Sequence, residues 1–414
     1  MRKTSKIILT LLCLGICFLS IGLFSACNQG PIKYTVTFDT DGGSKVESVQ
    51  VVSGEKVQKP TTEKDGCALV GWFNGVDEWN FNKDVVTKNI TLKAKWTTQM
   101  FVVEDGVITA TNSLFKSVSV VDIPSEIDGE IITKIGEYAF TNKNNIVSVN
   151  IPSTIKEIGS YAFESCKNLE SVNIPIICDL EKIGDFAFVS CEKLQGFYVP
   201  LTVNSIGFMA FNGCDNLAEF TVHEYNIKYM AYEGNVYTKD GVSLLFFAPK
   251  KSEVKFLDDV QKIAPRAFSN CENITKIYFP SSIIEIGEFA FNQCHSLTNI
   301  SFSETGSNLS WIRRYAFQDC GKIEGLENPP QLELVLPNKL ITIEMGAFAN
   351  FECITSVYIK QSTINIGANA FQRTPTSNTM VIKSQPKVKQ AGWHDNWNVS
   401  NCQVIWGEGY VEAE

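Results

Sequence analysis

A single pattern, Ile-Gly-x-x-Ala-Phe with small variations, occurs nine times between Ile135 and Phe371. The copies end at Phe140, Phe163, Phe188, Phe211, Phe268, Phe291, Phe317, Phe348 and Phe371. Consecutive terminal phenylalanines are 23, 25, 23, 57, 23, 26, 31 and 23 residues apart. A near-constant period in this range predicts a solenoid, in which each coil buries its apolar side only against neighbouring coils.

Each repeat joins a strand pattern to a second apolar pattern. In one unit the strand part consists of Leu169, Val172 and Ile174, followed by Pro175, which ends the pairing because it has no amide hydrogen. The second part consists of Ile183, Ala187, Phe188 and Cys191, at the spacing of one face of a helix. We therefore predict an α+β solenoid of short parallel strands and short helices or 3₁₀ turns over residues 135–378.

The repeat also has a family likeness. The order I-G-x-x-A-F-x-x-C followed by L-x-x-(I/V)-x-(I/V)-P resembles the BspA-like leucine-rich repeat, from about Phe101 to Ile405. We expect residues 98–134 to form an N-terminal cap and residues 379–414 a C-terminal cap and tail, because the end coils must shield their apolar faces from water. The tail tryptophans Trp393, Trp397 and Trp406 cover the core in this interpretation; an aromatic shelf for carbohydrate is the alternative.

Two long spacings interrupt the repeat. The 57-residue gap predicts an inserted hairpin near residues 225–250, with its turn at Lys239-Asp240-Gly241. The 31-residue spacing contains Glu327-Asn328-Pro329-Pro330, which predicts a loop that bulges from one coil. Both insertions are either recognition loops or parts of the scaffold.

Residues 34–97 form a separate module with its own motifs. Val36–Gly43 reads V-x-F-D-x-x-G-G, Gly71-Trp72-Phe73 follows, and Leu92–Trp96 reads L-x-A-x-W. This set resembles the internalin-type B repeat, also called the Listeria–Bacteroides repeat. The resemblance implies a small β-grasp-like domain of a bacterial surface protein.

Residues 1–26 have the layout of a secretory signal, with three basic residues ahead of the apolar stretch Ile7–Phe24 and small residues before Cys27. The segment Leu23–Cys27 resembles the lipobox of bacterial lipoproteins. It implies lipidation at Cys27, so that residues 27–33 tether the chain to the outer side of a membrane. An uncleaved membrane helix is the alternative, because 18 mostly apolar residues nearly span a bilayer.

Six cysteines each lie three residues after a repeat phenylalanine: Cys166, Cys191, Cys214, Cys271, Cys294 and Cys320. We expect them to form an inward-facing stack of small side chains. Adjacent coils would bring their Cα atoms within disulfide range, so a bond between coils is the alternative. In other copies Lys143, Phe351 and Thr374 stand at this position, which favours packing over chemistry.

The sequence shows little sign of catalysis. The three histidines, His223, His295 and His394, are far apart, and no zinc-protease, serine-hydrolase or phosphate-loop motif occurs. No Cys-x-x-Cys pair indicates a structural zinc site. A net charge of −9 without a Lys/Arg run argues against nucleic acid as a partner. We therefore predict no enzymatic activity, no metal and no cofactor.

Candidate binding residues follow from the alternation of side chains along a strand. The outward positions are Asn150, Asn173, Tyr198, Glu219, Lys276, Tyr278, Asn299 and Tyr358. The three tyrosines recur about every third coil, so strands about 4.8 Å apart would place them about 14 Å apart. We predict a sparse contact row, because tyrosine is favoured at protein interfaces; simple β propensity is the alternative.

These patterns together predict a lipid-anchored protein of the bacterial cell surface. Its solenoid would bind a protein or glycan partner, in adhesion or surface recognition. A structural stalk or envelope component without a specific ligand is the first alternative. A hydrolase without a recognisable motif is the second.

Overall fold

The computed structural model describes residues 30–65, 67–303, 306–322, 330–373, 380–400 and 402–408, apart from the side chain of Ser117. The chain divides between Thr97 and Thr98 into two compact units. The candidate functional residues that the structure describes lie in the second unit. The predicted signal, Cys27, the loop at residues 327–329 and Thr374 lie outside the described residues.

The first unit is a five-stranded mixed sheet. Its strands are β1 (Lys33–Asp39), β2 (Val49–Val52), β3 (Ala68–Asn74), β4 (Asp77–Glu78) and β5 (Ile90–Thr97). Their order is β2-β1-β5-β3-β4, with β1 and β5 parallel and the other pairs antiparallel. Apolar residues alternate along β1 and β5 because one side chain in two faces the core. Trp72 is 1% exposed and meets Phe38 edge-on at 5.1 Å.

The second unit begins with a hairpin and continues as coils. Its first strands are β6 (Phe101–Glu104), β7 (Val107–Thr111), β8 (Val120–Asp122), β9 (Glu126–Ile127), β10 (Glu130–Ile131), β11 (Lys134–Ile135), β12 (Ser148–Asn150), β13 (Glu157–Ile158), β14 (Ser171–Asn173), β15 (Lys182–Ile183), β16 (Gly196–Val199), β17 (Ser205–Ile206) and β18 (Glu219–Val222). A 3₁₀ helix, Ser113–Ser117, lies between β7 and β8.

Three antiparallel strands then interrupt the coils: β19 (Tyr229–Tyr232), β20 (Asn235–Thr238) and β21 (Ser243–Phe246). The coils resume with β22 (Lys262–Ile263), β23 (Lys276–Phe279), β24 (Glu285–Ile286), β25 (Asn299–Phe302), β26 (Trp311–Ile312), β27 (Leu332–Val335), β28 (Thr342–Ile343), β29 (Ile354–Ile359), β30 (Asn365–Ile366), β31 (Val381–Ser384), β32 (Gly392–Trp393) and β33 (Gln403–Trp406). The buried residues of the coils form two core clusters, and we call the parts of the chain that form them the first half (residues 101–248) and the second half (residues 237–397). The two ranges overlap because residues 237–248 contribute side chains to both clusters.

The solenoid has two faces, each built from parallel strands, and each coil contributes one strand to each face. The long-strand face consists of β8, β12, β14, β16, β18, β23, β25, β27, β29, β31 and β33. The short-strand face consists of the two-residue strands β11, β13, β15, β17, β22, β24, β26, β28, β30 and β32, continued by β7 and β21. Pairing between coils is in register, as in Ile158 opposite Ile183. The predicted solenoid of parallel strands is therefore confirmed.

The predicted helices are wrong, and the α+β description with them. In the described part of the chain, Ser113–Ser117 is the one helix. The Gly-x-x-Ala-Phe segments are turns, because Phe186 and Ser190 take left-handed φ angles of 55° and 58° that no α-helix contains. Their amide groups also point at the next coil: the N–H of Phe188 donates to Ala210 O at 2.8 Å, and that of Ser190 to Asn212 O at 2.8 Å.

The repeat phenylalanines form the centre of both halves. In the first half Phe140, Phe163, Phe188 and Phe211 stack at centroid distances of 5.0, 5.2 and 5.4 Å, with planes within 4°. In the second half Phe268, Phe291, Phe317, Phe348 and Phe371 stack at 4.5, 5.0, 5.3 and 5.6 Å. Identical residues at a fixed period place ring on ring, so the apolar interior continues from coil to coil within each half.

The insertion links the two stacks through adjacent residues. Phe246 lies 6.0 Å from Phe211 and packs on the first core, whereas Phe247 lies 4.5 Å from Phe268 and belongs to the second. Phe246 is the last residue of β21 and Phe247 the first residue after it, so the division between the cores falls at the end of this strand.

The C-terminal tryptophans belong to one further coil. β32 extends the short-strand face and β33 the long-strand face. Trp393 and Trp397 are 2% and 5% exposed, and the indole N–H of Trp393 donates to Thr363 O at 3.1 Å. These two rings fill the last coil and are not available as a carbohydrate shelf; Trp406 is 38% exposed.

The repeat cysteines are buried free thiols. The thiol of Cys191 donates to Phe163 O at 3.2 Å, one coil back, and that of Cys294 donates to Phe268 O at 3.0 Å. Burial raises the pKa of Cys166 to about 12 and raises the pKa of Cys191 and Cys320 well above the ordinary value. The stack is therefore a packing and hydrogen-bonding element with low thiol reactivity.

Candidate functional site

All eight predicted binding residues lie on strands of the long-strand face. Asn150 is on β12, Asn173 on β14, Tyr198 on β16, Glu219 on β18, Lys276 and Tyr278 on β23, Asn299 on β25 and Tyr358 on β29. That face is divided into four sheets, with orders β14-β12-β8, β16-β18, β23-β25 and β27-β29-β31-β33. The three tyrosines are therefore on three different sheets, and whether they act as one contact row stays a prediction.

Asn150 and Asn173 form the best-ordered part of this face. They are register partners on β12 and β14, and the Asn173 amide donates to Asn150 Oδ1 at 2.7 Å. Asn150 in turn donates to the carboxylate of Asp122 on β8. Asn173 also donates to Ser148 Oγ at 3.2 Å. Both amides thus donate toward the preceding coil.

A cavity of about 650 Å³ brings three predicted residues together. We call it the Asn–Tyr cavity; its lining is Asn150, Ile151, Val172, Asn173, Ile174, Pro175, Ile176 and Tyr198. Burial, followed by the nearby Cys178 thiol, raises the pKa of Tyr198, so its hydroxyl stays protonated and can donate. The cavity combines an apolar wall with two amides and a phenol, as ligand sites commonly do.

A second group of predicted residues lies on β23 and β25. Lys276 is opposite Asn299, and Tyr278, which is 57% exposed, is opposite Ser301. The Tyr278 side chain is therefore exposed to solvent near the ammonium of Lys276 and the amide of Asn299. None of the three lines the Asn–Tyr cavity.

Tyr358 and Glu219 have separate surroundings. The Lys383 ammonium lies 4.5 Å from the centre of the Tyr358 ring and donates a hydrogen bond to its hydroxyl, and this bond raises the pKa of Lys383. Glu219 is opposite Gly196 on β16 and close to Gly234 in the turn between β19 and β20, where an added Cβ would lie 3.0 Å from Glu219 Cβ.

The sequence analysis missed a second cavity, of about 560 Å³, on the short-strand face after the insertion. Arg313 in its wall binds Glu285 at 2.7 Å and Glu344 at 2.9 Å. These hydrogen bonds raise the pKa of Arg313. Arg314 binds Glu288 at 2.9 Å. The available signal was Arg313 itself, which occupies a position where most copies have glycine.

It also missed the exposed pair Ile176 and Ile177, of which Ile176 lines the Asn–Tyr cavity. Their exposed fractions are 72% and 88%. The signal was the 25-residue spacing between Phe163 and Phe188, two residues longer than the commonest spacing. The extra length falls in the turn after Pro175 and pushes these side chains outward.

In the described ranges no group of three His, Cys, Asp or Glu side chains is placed to hold a metal ion. No helix there has the length and apolar character needed to cross a bilayer.

Known protein families match almost the whole described chain. The BspA type leucine rich repeat region matches as six copies over residues 109–238, 245–335 and 327–404. The Listeria-Bacteroides repeat domain matches residues 34–95.

Solved structures with a similar fold include bacterial leucine-rich repeat proteins. A leucine rich cell surface protein from Faecalibacterium prausnitzii A2-165 is 21% identical, with 75% of this chain and 96% of that chain covered and a TM-score of 0.39. The pneumococcal vaccine antigen PcpA is 17% identical, with 74% and 96% covered and a TM-score of 0.44. A leucine-rich repeat protein from Eubacterium ventriosum is 20% identical, with 63% and 84% covered and a TM-score of 0.38.

Two curated proteins of Evansella cellulosilytica, both with "membrane protein" in their names, are 39% identical over 74 residues and 37% identical over 68 residues. The matches cover 17% and 16% of this chain, and 11% and 8% of the relatives. The chain thus spans about a tenth of the length of these relatives. The repeat model, in contrast, covers more than half of this chain. The chain therefore belongs to the BspA type leucine rich repeat family, and it carries a Listeria-Bacteroides repeat domain ahead of its solenoid.

Proposed function

We propose that this chain is a lipoprotein of the bacterial cell surface whose solenoid recognises a protein or glycan partner. One observation carries the proposal: outward amides on consecutive coils are ordered by hydrogen bonds and adjoin a cavity with a phenol and an apolar wall. The family membership supports it, because stacked repeats offer an extended surface for binding.

The Asn–Tyr cavity has the physical properties of a prepared binding site. Its strands belong to a close-packed stack, so a ligand does not have to order the backbone. Asn173 offers a carbonyl acceptor and Tyr198 a hydroxyl, while Ile174 and Pro175 supply apolar contact. Donor groups on a sugar or a peptide can meet the acceptor while their apolar parts cover Pro175.

The anchor is tested separately from binding. Replacement of Cys27 by Ser should abolish lipid attachment, because only the thiol can take the acyl-glycerol group. Mass spectrometry of the mature N-terminus and the distribution between membrane and medium measure this. A parent chain whose mature N-terminus retains residues 1–26, or carries an unmodified Cys27, would contradict lipid anchoring, and the former would favour an uncleaved membrane helix.

Binding is tested by presenting the purified chain to a glycan array and to surface-protein extracts. An Asn173→Ala/Tyr198→Ala variant should lose about tenfold or more in affinity for any ligand found, because it removes both polar anchors of the cavity. Tyr278→Ser is the matched control, since Tyr278 is also exposed on the long-strand face but lies outside the cavity. Equal loss in the control would instead favour the row of tyrosines.

A chain that binds nothing in either screen would favour a structural stalk. Turnover of a glycan or peptide in the same screens would favour the hydrolase alternative. Either outcome would overturn recognition as the function.

A further inference from the structure

Three consecutive turns at one edge of the first half carry large apolar side chains in solvent. The exposed fractions are 72% for Ile176, 88% for Ile177, 42% for Leu201, 70% for Tyr225 and 74% for Ile227. We call these five residues the apolar rim. The corresponding turns of other coils carry polar residues after the strand: Ser125, Ser153, Ser281, Asn338 and Gln361. Single exposed apolar residues also occur in the corresponding turns of other coils, at Ile131, Ile364 and Val388, whereas the rim places such residues on three consecutive coils.

Hydrogen bonds hold the turns of the rim together. Asn226, between Tyr225 and Ile227, is fully buried, and its amide donates to Pro200 O at 2.7 Å and Val203 O at 2.9 Å in the turn that carries Leu201. Thr202 Oγ1 donates to Cys178 O at 3.4 Å, in the turn that carries Ile177. The apolar side chains thus project from a fixed backbone, which reduces the entropy lost on association.

The rim is large enough to need a partner. Its exposed fractions correspond to on the order of 600 Å² of surface, at the upper end of the largest patch on a typical monomer. Two such patches face to face would bury about 1,200 Å², the lower limit of a stable protein interface.

The arrangement suits a twofold axis. Two exposed residues lie at each end of the rim, with Leu201 in the middle turn, so an antiparallel copy would place Ile177 against Ile227 and Leu201 against itself. The exposed charges are arranged about the same axis. Asp179 at the Ile177 end would face Lys228 and Glu224 at the Ile227 end, so the Lys228 ammonium would lie between two carboxylates and offset their repulsion.

We propose that a second copy of this chain covers the apolar rim, with the twofold axis at Leu201. A lipid surface is a poorer occupant, because the carboxylates of Asp179 and Glu224 are interleaved with the apolar residues and would be repelled by anionic headgroups. The proposal goes beyond partner recognition, since the rim lies in the turns and shares only Ile176 with the lining of the Asn–Tyr cavity.

Thiol cross-linking of the full chain in intact cells tests the axis. A Leu201→Cys variant, treated with a short bis-maleimide, should give a covalent dimer of this chain, because two Leu201 positions meet at the axis. Ile364→Cys is the matched control, a 54% exposed isoleucine in a turn of the second half, and should give at least about tenfold less dimer. The unmodified chain controls for the native thiols, eight of which are buried among the described residues.

A second substitution tests the contact itself. Ile177→Asp in the Leu201→Cys chain should lower the dimer yield about tenfold or more, because it places a carboxylate opposite Ile227 of the other copy. If Leu201→Cys exposes native thiols and so proves misfolded, an Ile177→Cys/Ile227→Cys chain replaces it, and the axis again predicts a cross-linked dimer.

Two outcomes would overturn the proposal. One is a dimer yield no higher than that of Ile364→Cys, and the other is a cross-link from Leu201→Cys to a different protein. Neither depends on a ligand at the Asn–Tyr cavity. Failure of the dimer and failure of the proposed recognition function are therefore separate results.

Discussion

The two halves of the solenoid share an interior and differ on the outside. Rings stack at about 5 Å in both, and Cys191 and Cys294 each donate to a phenylalanine carbonyl one coil back. The outside of the first half presents the Asn–Tyr cavity and the apolar rim, whereas the second presents the cavity lined by Arg313. The repeat period dictates what faces inward and leaves the outward positions free to diverge.

The short-strand faces show the same contrast in their charges. In the first half Glu157 is bound by Lys182 at 3.0 Å and Lys134 at 3.2 Å, and the side chains of these lysines are 53% and 38% exposed. In the second half Arg313 is bound by two glutamates, and all three side chains are at most 34% exposed. Opposite charges alternate from coil to coil in both, but the second network is better shielded from water and salt.

The largest expected effect concerns the shared interior. Phe163→Ala and Phe291→Ala should each lower the free energy of unfolding by about 3–5 kcal/mol, because each removes a fully buried ring from the stack. Denaturant unfolding measures this. A loss under about 1 kcal/mol in either half would break the equivalence of the two interiors.

The junction of the halves gives the next effect. Phe247→Ala should lower the free energy of unfolding by about 3 kcal/mol, and the loss of amide protection should lie mainly after residue 248. Phe246→Ala should cost less, because that ring is only partly buried, and should affect the first half. Hydrogen exchange of both variants separates the halves. Identical exchange patterns would show that the two cores do not act as separate units.

Alkaline pH should weaken both interiors. Burial raises the pKa of Cys166 to about 12 from 9.0, so the unfolded chain loses this proton first as pH rises. The stability that this thiol contributes is fully present below pH 9.0 and is lost as pH rises toward about 12.

The expected slope is about 1.4 kcal/mol per pH unit for each such thiol above its unfolded pKa. Denaturant unfolding at several alkaline pH values measures the slope for the parent chain and for Cys166→Ser, whose hydroxyl does not titrate. An unchanged slope in the variant would contradict the assignment.

The smallest expected effect is the difference in unfolding free energy between variants of the two charge networks. Arg313→Met should cost about 1–2 kcal/mol, because it leaves two half-buried carboxylates without their shared cation. Lys182→Met should cost less than about 1 kcal/mol, since Glu157 keeps Lys134 as a partner and the Lys182 side chain is 53% exposed. Unfolding in low and high salt compares them, and an equal cost for both would remove the distinction.

Much of the fold could be predicted because the repeat period determines which side chains of successive coils meet in the interior. The spacing of Phe163 and Phe188 predicts stacked rings and buried cysteines, and both are present. The helices could not be excluded from apolar spacing alone. The left-handed φ of Tyr161 and Phe186 is imposed by hydrogen bonds to the next coil, and side-chain type does not reveal it. Each turn has two positions with a left-handed φ, and glycine occupies one of them at Gly346 and the other at Gly213. These two glycines were the signal in the sequence that the segment is a turn.

The candidate site was predictable only in part. Asn150 and Asn173 occupy the same position of adjacent repeats, so register alone predicts that they meet. The cavity beside them depends on the two-residue extension after Pro175, and the bond between Tyr358 and Lys383 depends on neighbouring strands that differ in sequence. Such features arise where the repeat is broken, and periodicity says nothing about them.

Phe246 and Phe247 are neighbours in sequence but belong to different cores. One peptide bond therefore couples two hydrophobic assemblies at that point. A force applied to one end of the solenoid is transmitted to the other end through β21 and the strands paired with it, β20 and β22. Because the two cores are separate clusters, local unfolding at this point would let one half open while the other stays folded.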